Sequence, residues 1–202
     1  TGVEMDKATA RIARHLLPES NILNADFVKQ KLPDNFFDLA IGNPPFSATK
    51  ILDDPAYKKY RFLLHDYFFA KSLDKVRPGG LLVFVTSKGT MDKADDKARN
   101  FMAERADLLG AVRLPQTEVV TDVLFLRKRQ PGEAAGGEAW LGRAEVKTPE
   151  GPALVNEYFA RHPEMVLGEM QPSKKMYGRE GGTACIAPED YDLYGELERA
   201  VD

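Results

Sequence analysis

Phe36-Phe37-Asp38-Leu39-Ala40-Ile41-Gly42-Asn43-Pro44-Pro45-Phe46 is the stretch on which the reading of this chain turns. Phe36 to Ile41 reads as a short apolar strand that runs directly into a polar amide, two prolines and an aromatic ring. The prolines hold the backbone extended and remove two N–H donors. What is left at the corner is the Asn43 side-chain amide and a set of backbone carbonyls, an acceptor-rich arrangement suited to an –NH2 group. Phe46 adds a flat apolar face of nucleobase size. A bare Asn-Pro-Pro can also be a rigid turn beside a core phenylalanine. Its position argues for more, because open α/β sheets bind ligands outside the carboxyl ends of their strands, and earlier strand ends in this chain also carry acids.

Upstream, Thr1 to Asp6 reads as the end of a strand closing on Glu4 and Asp6. Ala10, Ile12, Ala13, Leu16 and Leu17 then recur at helical spacing until Pro18. Asn21 to Asn24 is a second short strand, broken by Asp26, and Pro33-Asp34-Asn35 is a turn. Downstream, the stripe of Tyr57, Tyr60, Leu64, Tyr67, Phe68, Leu73 and Val76 predicts a helix from about Pro55, with Lys58, Lys59, Arg61 and Asp66 facing away. Pro78-Gly79-Gly80 is expected to end it and launch a doubly buried strand, Leu81 to Val85. A charged helix over Lys93 to Ala106 and strands over Leu108 to Leu114 and Val119 to Leu126 follow. The fold class is therefore α/β, a mostly parallel sheet with an antiparallel edge. Residues 1–129 form the expected core, 130–138 a linker by composition, and 139–202 a C-terminal appendage.

Composition bounds the function. The 202 residues are 43% hydrophobic and 29% charged, as in ordinary globular proteins. The longest apolar run, Gly80 to Thr86, is strand-sized, so no membrane partner is expected, and the default compartment is the cytoplasm. One cysteine, Cys185, rules out an internal disulfide and is expected to be structural. His15, His65 and His162 are too scattered to suggest a metal site. The net charge is −3, with no basic excess of the kind a freestanding nonspecific DNA binder carries. Arg127-Lys128-Arg129, Lys88, Lys93 and Lys174-Lys175 are the basic groups that could touch phosphate.

The corner and its neighbours resemble the adenine-N6 DNA methyltransferases, which use S-adenosylmethionine. Asn43-Pro44-Pro45-Phe46 after Phe37-Asp38-Leu39-Ala40-Ile41-Gly42 is similar to that family's catalytic motif. Gly2-Val3-Glu4-Met5-Asp6 resembles its second strand, and Asn24-Ala25-Asp26-Phe27 the motif after it. The cofactor motifs precede the catalytic one, which is the gamma order. Stretches such as EMDKATARIARHL, TSKGTMDK and NEYFARHPEMVLGEM are similar to the methylase module of large helicase–methylase polypeptides of phages and mobile elements. The resemblance implies a Rossmann-like methyltransferase sheet, DNA as substrate, a helicase as the rest of the polypeptide and a role in restriction-modification.

It also assigns residues. Glu4, with Met5 beside it, would bond the cofactor ribose, while Asp6 would cap the following helix or orient the loop. Asp26 and Phe27 would hold the cofactor adenine. Asn43 and the Pro44 carbonyl would accept from the target amine, Pro45 would stiffen the corner, and Phe46 would stack on a base rotated out of the duplex. The family's Gly-rich turn ahead of Glu4 is absent, so the chain reads as a fragment that binds cofactor weakly by itself. The loop around Arg113 to Glu118 is shorter than in relatives. An RNA or protein-glutamine N-methyltransferase, or a noncatalytic DNA-binding module, would use the same elements.

Overall fold

A computed structural model describes residues 1–115, 119–173, 182–189 and 191–201. Strand β1 (Gly2–Glu4) leads into helix α1 (Lys7–Leu16) and strand β2 (Ile22–Asn24), and the two strands pair in parallel. Asp6 caps α1, its carboxylate accepting from the Thr9 amide at 2.7 Å. These bonds to Thr9 hold the Asp6 carboxyl below its ordinary pKa. Only Ala10 of α1 is buried, and Ile12, Leu16 and Leu17 stay exposed.

The second sheet carries the corner. Strands β3 (Phe37–Gly42) and β4 (Val76–Ser87) run parallel, β5 (Ala106–Leu114) closes one edge, and β6 (Thr121–Lys128) lies reversed between β4 and β5. The antiparallel pairing at that edge comes from a closing strand that turns back on its predecessor. Helix α2 (Leu64–Lys75) covers the sheet with Tyr67, Phe69 and Leu73 fully buried. Short helices α3 (Gly89–Asp92) and α4 (Lys97–Ala103) connect β4 to β5.

The structure corrects two expectations. The helix begins at Leu64 rather than near Pro55, because residue 61 has φ +53°, which breaks a right-handed helix. Residues 58–60 form a single 3₁₀ turn, and Asp66, expected on the outer face, is buried beneath Lys93. Pro78-Gly79-Gly80 does not launch the strand but lies inside it, at a register shift between the Phe37 and Leu39 pairings. Gly79 takes φ +78°, and a Cβ on Gly80 would meet the Asp38 carbonyl at 2.7 Å, so glycine is required at both positions.

The C-terminal third adds hairpin β7 (Arg143–Thr148)–β8 (Gly151–Asn156), helix α5 (Glu157–Arg161), strands β9 (Glu169–Ser173) and β10 (Gly182–Ile186), and helix α6 (Leu193–Val201). Trp140, Val155, Tyr158 and Phe159 join the same apolar cluster as α2, β4 and β6. Residues 130–138, without regular structure, run along Asp107: Gly136 N–H donates to its carboxylate, and Glu138 N–H to the Leu108 carbonyl. Cys185 is buried, and burial pushes its thiol up to about 11, as expected of a structural cysteine. Among the described residues no helix is long and apolar enough to cross a membrane.

Candidate functional site

Among the described residues, the β1–β2 sheet and the sheet of β3 to β6 are not paired to each other: β1 pairs with β2 alone and β3 with β4 alone, so each leaves one strand edge free. The free edges flank a cleft of about 730 Å³, a volume typical of small-molecule sites. Glu4, Met5, Asp26, Phe27, Asn43, Pro44 and Pro45 all line it. These residues come from three strand ends separated by up to 41 positions in sequence, and the fold brings them to one wall-to-wall space.

Each group is held by a short local device. Asn24 Nδ2 donates to the Glu4 carbonyl at 3.0 Å and the Met5 carbonyl at 2.9 Å, tying the end of β1 to the end of β2. Glu4 Oε1 accepts the Asp6 amide at 2.7 Å, and this orients the carboxylate with Oε2 left over. Asp26 Oδ1 accepts the Val28 amide at 2.9 Å in a local turn, with Lys29 at 3.9 Å from Oδ2. Phe27 stacks on Phe68 of α2 at a centroid distance of 4.6 Å. Pro44 is buried and Asn43 exposed toward the cleft.

Phe46 departs from the group. It is 38% exposed, lies outside the cleft lining and meets His65 edge-on at 6.4 Å. Burial lowers the pKa of the His65 imidazole beside Phe46 below its ordinary value. Its Nδ1 has no hydrogen-bond partner among the described residues.

Sequence reasoning missed the support under the cleft. Lys71 of α2 is buried and donates to the Phe27 carbonyl at 2.7 Å and the Val28 carbonyl at 2.9 Å. Its ammonium also lies 5.1 Å above the Phe27 ring and 3.5 Å from Asp54 Oδ2. Tyr67 donates to the same Asp54 oxygen at 2.7 Å. Burial would raise the Asp54 carboxyl, but Tyr67, the Ala56 amide and Lys71 outweigh it and hold it below its ordinary value. Lys71 thus joins the Phe27 turn to the loop that follows the Asn43 corner. A lysine in a helical pattern reads as solvated, so no sequence signal marked it.

Of the cations that could touch phosphate, those among the described residues are engaged internally. Arg127 pairs with Asp107 and Glu133, and Arg129 with Asp107. Lys128 donates to the carbonyls of Leu73 and Val76, Lys93 to Asp66, and Lys88 to Thr183. Lys174, Lys175 and the short loop over residues 116–118 lie outside the described residues. No group of three or more metal-ligating side chains occurs among the described residues.

The chain is similar to known proteins. Residues 4–119, more than half of the chain, match the model of the Eco57I restriction-modification methylase family. The "Defense against restriction protein B" of Escherichia phage P1 is 30% identical over 148 residues, 67% of this chain and 6% of that protein. The type II methyltransferase M.XhoI of Xanthomonas vasicola is 30% identical over 107 residues, 48% of this chain and 19% of that one. The chain thus spans a small part of either relative. Among solved structures, a Listeria monocytogenes protein assigned to the class I S-adenosylmethionine-dependent methyltransferases aligns with a TM-score of 0.58 at 20% identity, over 69% of this chain and 47% of that one. That likeness gives the fold, the Rossmann-like α/β sheet of such methyltransferases.

Proposed function

The chain belongs to the Eco57I restriction-modification methylase family, and from that premise we propose that it transfers a methyl group from S-adenosylmethionine to the N6 amine of adenine in DNA. The observation that carries this reading is the shared cleft: two carboxylates, an aromatic ring and the Asn-Pro-Pro corner all face it. The donor set fits the cofactor. Glu4 Oε2 is the acceptor for a ribose diol, and Asp26 with the Phe27 ring is the acceptor and flat face for an adenine. Met5 lies alongside at the end of β1.

The cofactor supplies an electrophilic methyl carbon on a sulfonium. The chain supplies geometry. Adenine N6 is a weak nucleophile because its lone pair is delocalised into the ring. Hydrogen bonds from the amine to the Asn43 side-chain oxygen and the Pro44 carbonyl favour a tetrahedral nitrogen and aim its lone pair at the methyl group. Neither needs a nucleophilic side chain. A base inside a duplex must rotate out to reach the corner, and Phe46, outside the cleft lining but exposed next to Pro45, would stack on it.

The slot between β1 and β3 supports one further part of the reading. Leu39 and Ile41 of β3 are 47% and 72% exposed, although their apolar run is that of a strand covered on both sides. We infer that a further strand of a longer, helicase-bearing polypeptide completes the sheet there. Cofactor binding by this chain alone is then weak.

The test is transfer of labelled methyl groups to duplex DNA at saturating cofactor, followed by nucleoside analysis. Label in N6-methyladenine is the expected product. Label in cytosine, in RNA only or in protein glutamine would overturn the adenine assignment, and DNA binding without transfer would make the chain a noncatalytic module. Lys71→Met is expected to weaken cofactor binding about tenfold, the worth of one charge-assisted hydrogen bond, with turnover at saturation little changed. A titration showing unaltered cofactor affinity would remove Lys71 from this role.

A further inference from the structure

Residues 47–63 form a closed loop immediately after the Asn43–Phe46 corner. Its neck is an antiparallel bridge between Lys50 and Leu63, flanked by bonds from Ile51 N–H to the Phe62 carbonyl at 3.0 Å and from Leu64 N–H to the Thr49 carbonyl at 2.9 Å. Buried anchors fix its shape. Tyr57 donates to Asp74, and Tyr60 stacks on Phe62 at 5.1 Å. Both of those rings meet Phe101 of α4 edge-on, at 5.0 and 5.2 Å. The loop is a built platform with its aromatic side turned inward.

Its outer side is basic. Lys50, Lys58, Lys59 and Arg61 are exposed, and none forms an ion pair among the described residues; the Lys59 ammonium rests over the Tyr60 ring at 4.8 Å. Of the loop's two acids, Asp54 is engaged by Tyr67 and Lys71, which leaves Asp53 alone against four cations. On a chain of net charge −3, this is a local reversal of sign in the loop that follows the corner, while Lys93, beyond the end of β4, is paired with Asp66.

We propose that this loop grips the phosphodiester backbone of duplex DNA, with Lys50, Lys58, Lys59 and Arg61 as the phosphate contacts. The proposal rests on the DNA reading of the corner. A loop whose backbone is already held at its neck loses little further backbone entropy on binding, and its cations, following the corner in the chain, set the register of the duplex without reading its sequence. Such cations displace condensed counterions, so each contributes close to one unit to the salt dependence of binding.

The experiment is fluorescence anisotropy of a labelled random-sequence duplex over a salt series. The substitutions are Lys50→Gln, Lys58→Gln, Lys59→Gln and Arg61→Gln, combined and singly. The combined variant is expected to lower the slope of log affinity against log salt by about 2–4, at roughly 0.9 for each phosphate no longer neutralised. The exposed pair Arg143→Gln with Lys147→Gln on β7 is the control and should leave the slope unchanged. If the combined variant unfolds, the single Lys58 and Lys59 changes each carry the expectation, a loss of about one unit. An unchanged slope, an equal loss in the control, or tighter and equally loop-dependent binding of RNA overturns the proposal. If methyl transfer to DNA persists while the slope is unchanged, the loop assignment fails alone. If the chain binds no duplex at any salt, the DNA reading fails with it.

Discussion

Asn43→Ala is expected to reduce methyl transfer by about 10²–10³-fold, the cost of removing one preorganised hydrogen bond that strengthens as charge develops. Its effect on stability should stay within about 0.5 kcal/mol, as for exposed positions generally. The asymmetry follows from geometry. Asn43 is exposed, faces the cleft, and makes no side-chain hydrogen bond among the described residues, so truncation leaves no partner buried and unpaired. The fold of the corner rests on buried Pro44 and on the β3–β4 ladder, which runs to Gly42 opposite Phe84. Cofactor affinity should be unchanged, since Glu4, Asp26 and Phe27 keep their own supports. Asn43→Asp keeps an acceptor oxygen and should lose less than the alanine variant. Single-turnover rates at saturating cofactor and DNA decide it: an alanine variant that transfers methyl groups within about threefold of the parent would dismiss Asn43 from the chemistry, since such a change is under 1 kcal/mol in barrier height.

The corner was legible in the sequence because its geometry is local. An apolar run fixes the strand, two prolines fix the turn, and the carboxyl end of a strand is where such sheets expose polar groups. The acids at Glu4 and Asp26 were legible for the same reason. Residues 55–63 were misread because Tyr57, Tyr60, Leu64 and Tyr67 stand at intervals of three and four, which a helix would place on one face. The rings are buried for another cause: Tyr57 reaches Asp74, and Tyr60 reaches Phe101, some 40 residues downstream. Charge was the least legible feature. A sequence shows that Arg127, Lys93 or Lys71 is basic, but its partner comes from a distant element, and the partner decides whether the cation faces water, phosphate or a buried carboxylate. The exposure of Leu39 and Ile41 was equally hidden, because an apolar strand reads the same whether or not its neighbour is in place.

Arg113→Met is expected to cost about 3–5 kcal/mol of folding stability, the usual penalty for breaking a buried ion pair by removing one partner. Arg113 of β5 stands directly opposite Asp122 of β6 and grips it through two hydrogen bonds of 2.8 and 2.9 Å. Its third nitrogen lies 2.9 Å from Asp92 Oδ2 of α3, and the guanidinium rests 4.2 Å over the Phe159 ring of α5. Arg113 and Asp122 are fully buried, so one cation holds two carboxylates and a ring from the C-terminal third in place. Burial drives the Asp122 carboxyl above its ordinary value even with Arg113 present. Without the arginine, fully buried Asp122 would lose the cation that grips it, leaving Lys88 as the nearby positive charge, and its carboxyl would be driven further upward. A carboxyl whose folded pKa is raised binds protons more tightly folded than unfolded, so its contribution to stability is lost as pH rises from the unfolded value upward. The deficit of Arg113→Met should therefore be greatest near neutrality and narrow as pH falls toward about 4, the range where unfolded aspartates titrate. Urea unfolding at a series of pH values measures it through the midpoint at constant slope. Adding Asp122→Leu and Asp92→Asn to the same variant removes the stranded charges and should recover most of the loss. A deficit below about 1 kcal/mol at neutral pH, the ordinary scale of a surface pair, would mean that the triad is hydrated and does not tie β5, β6 and α3 together.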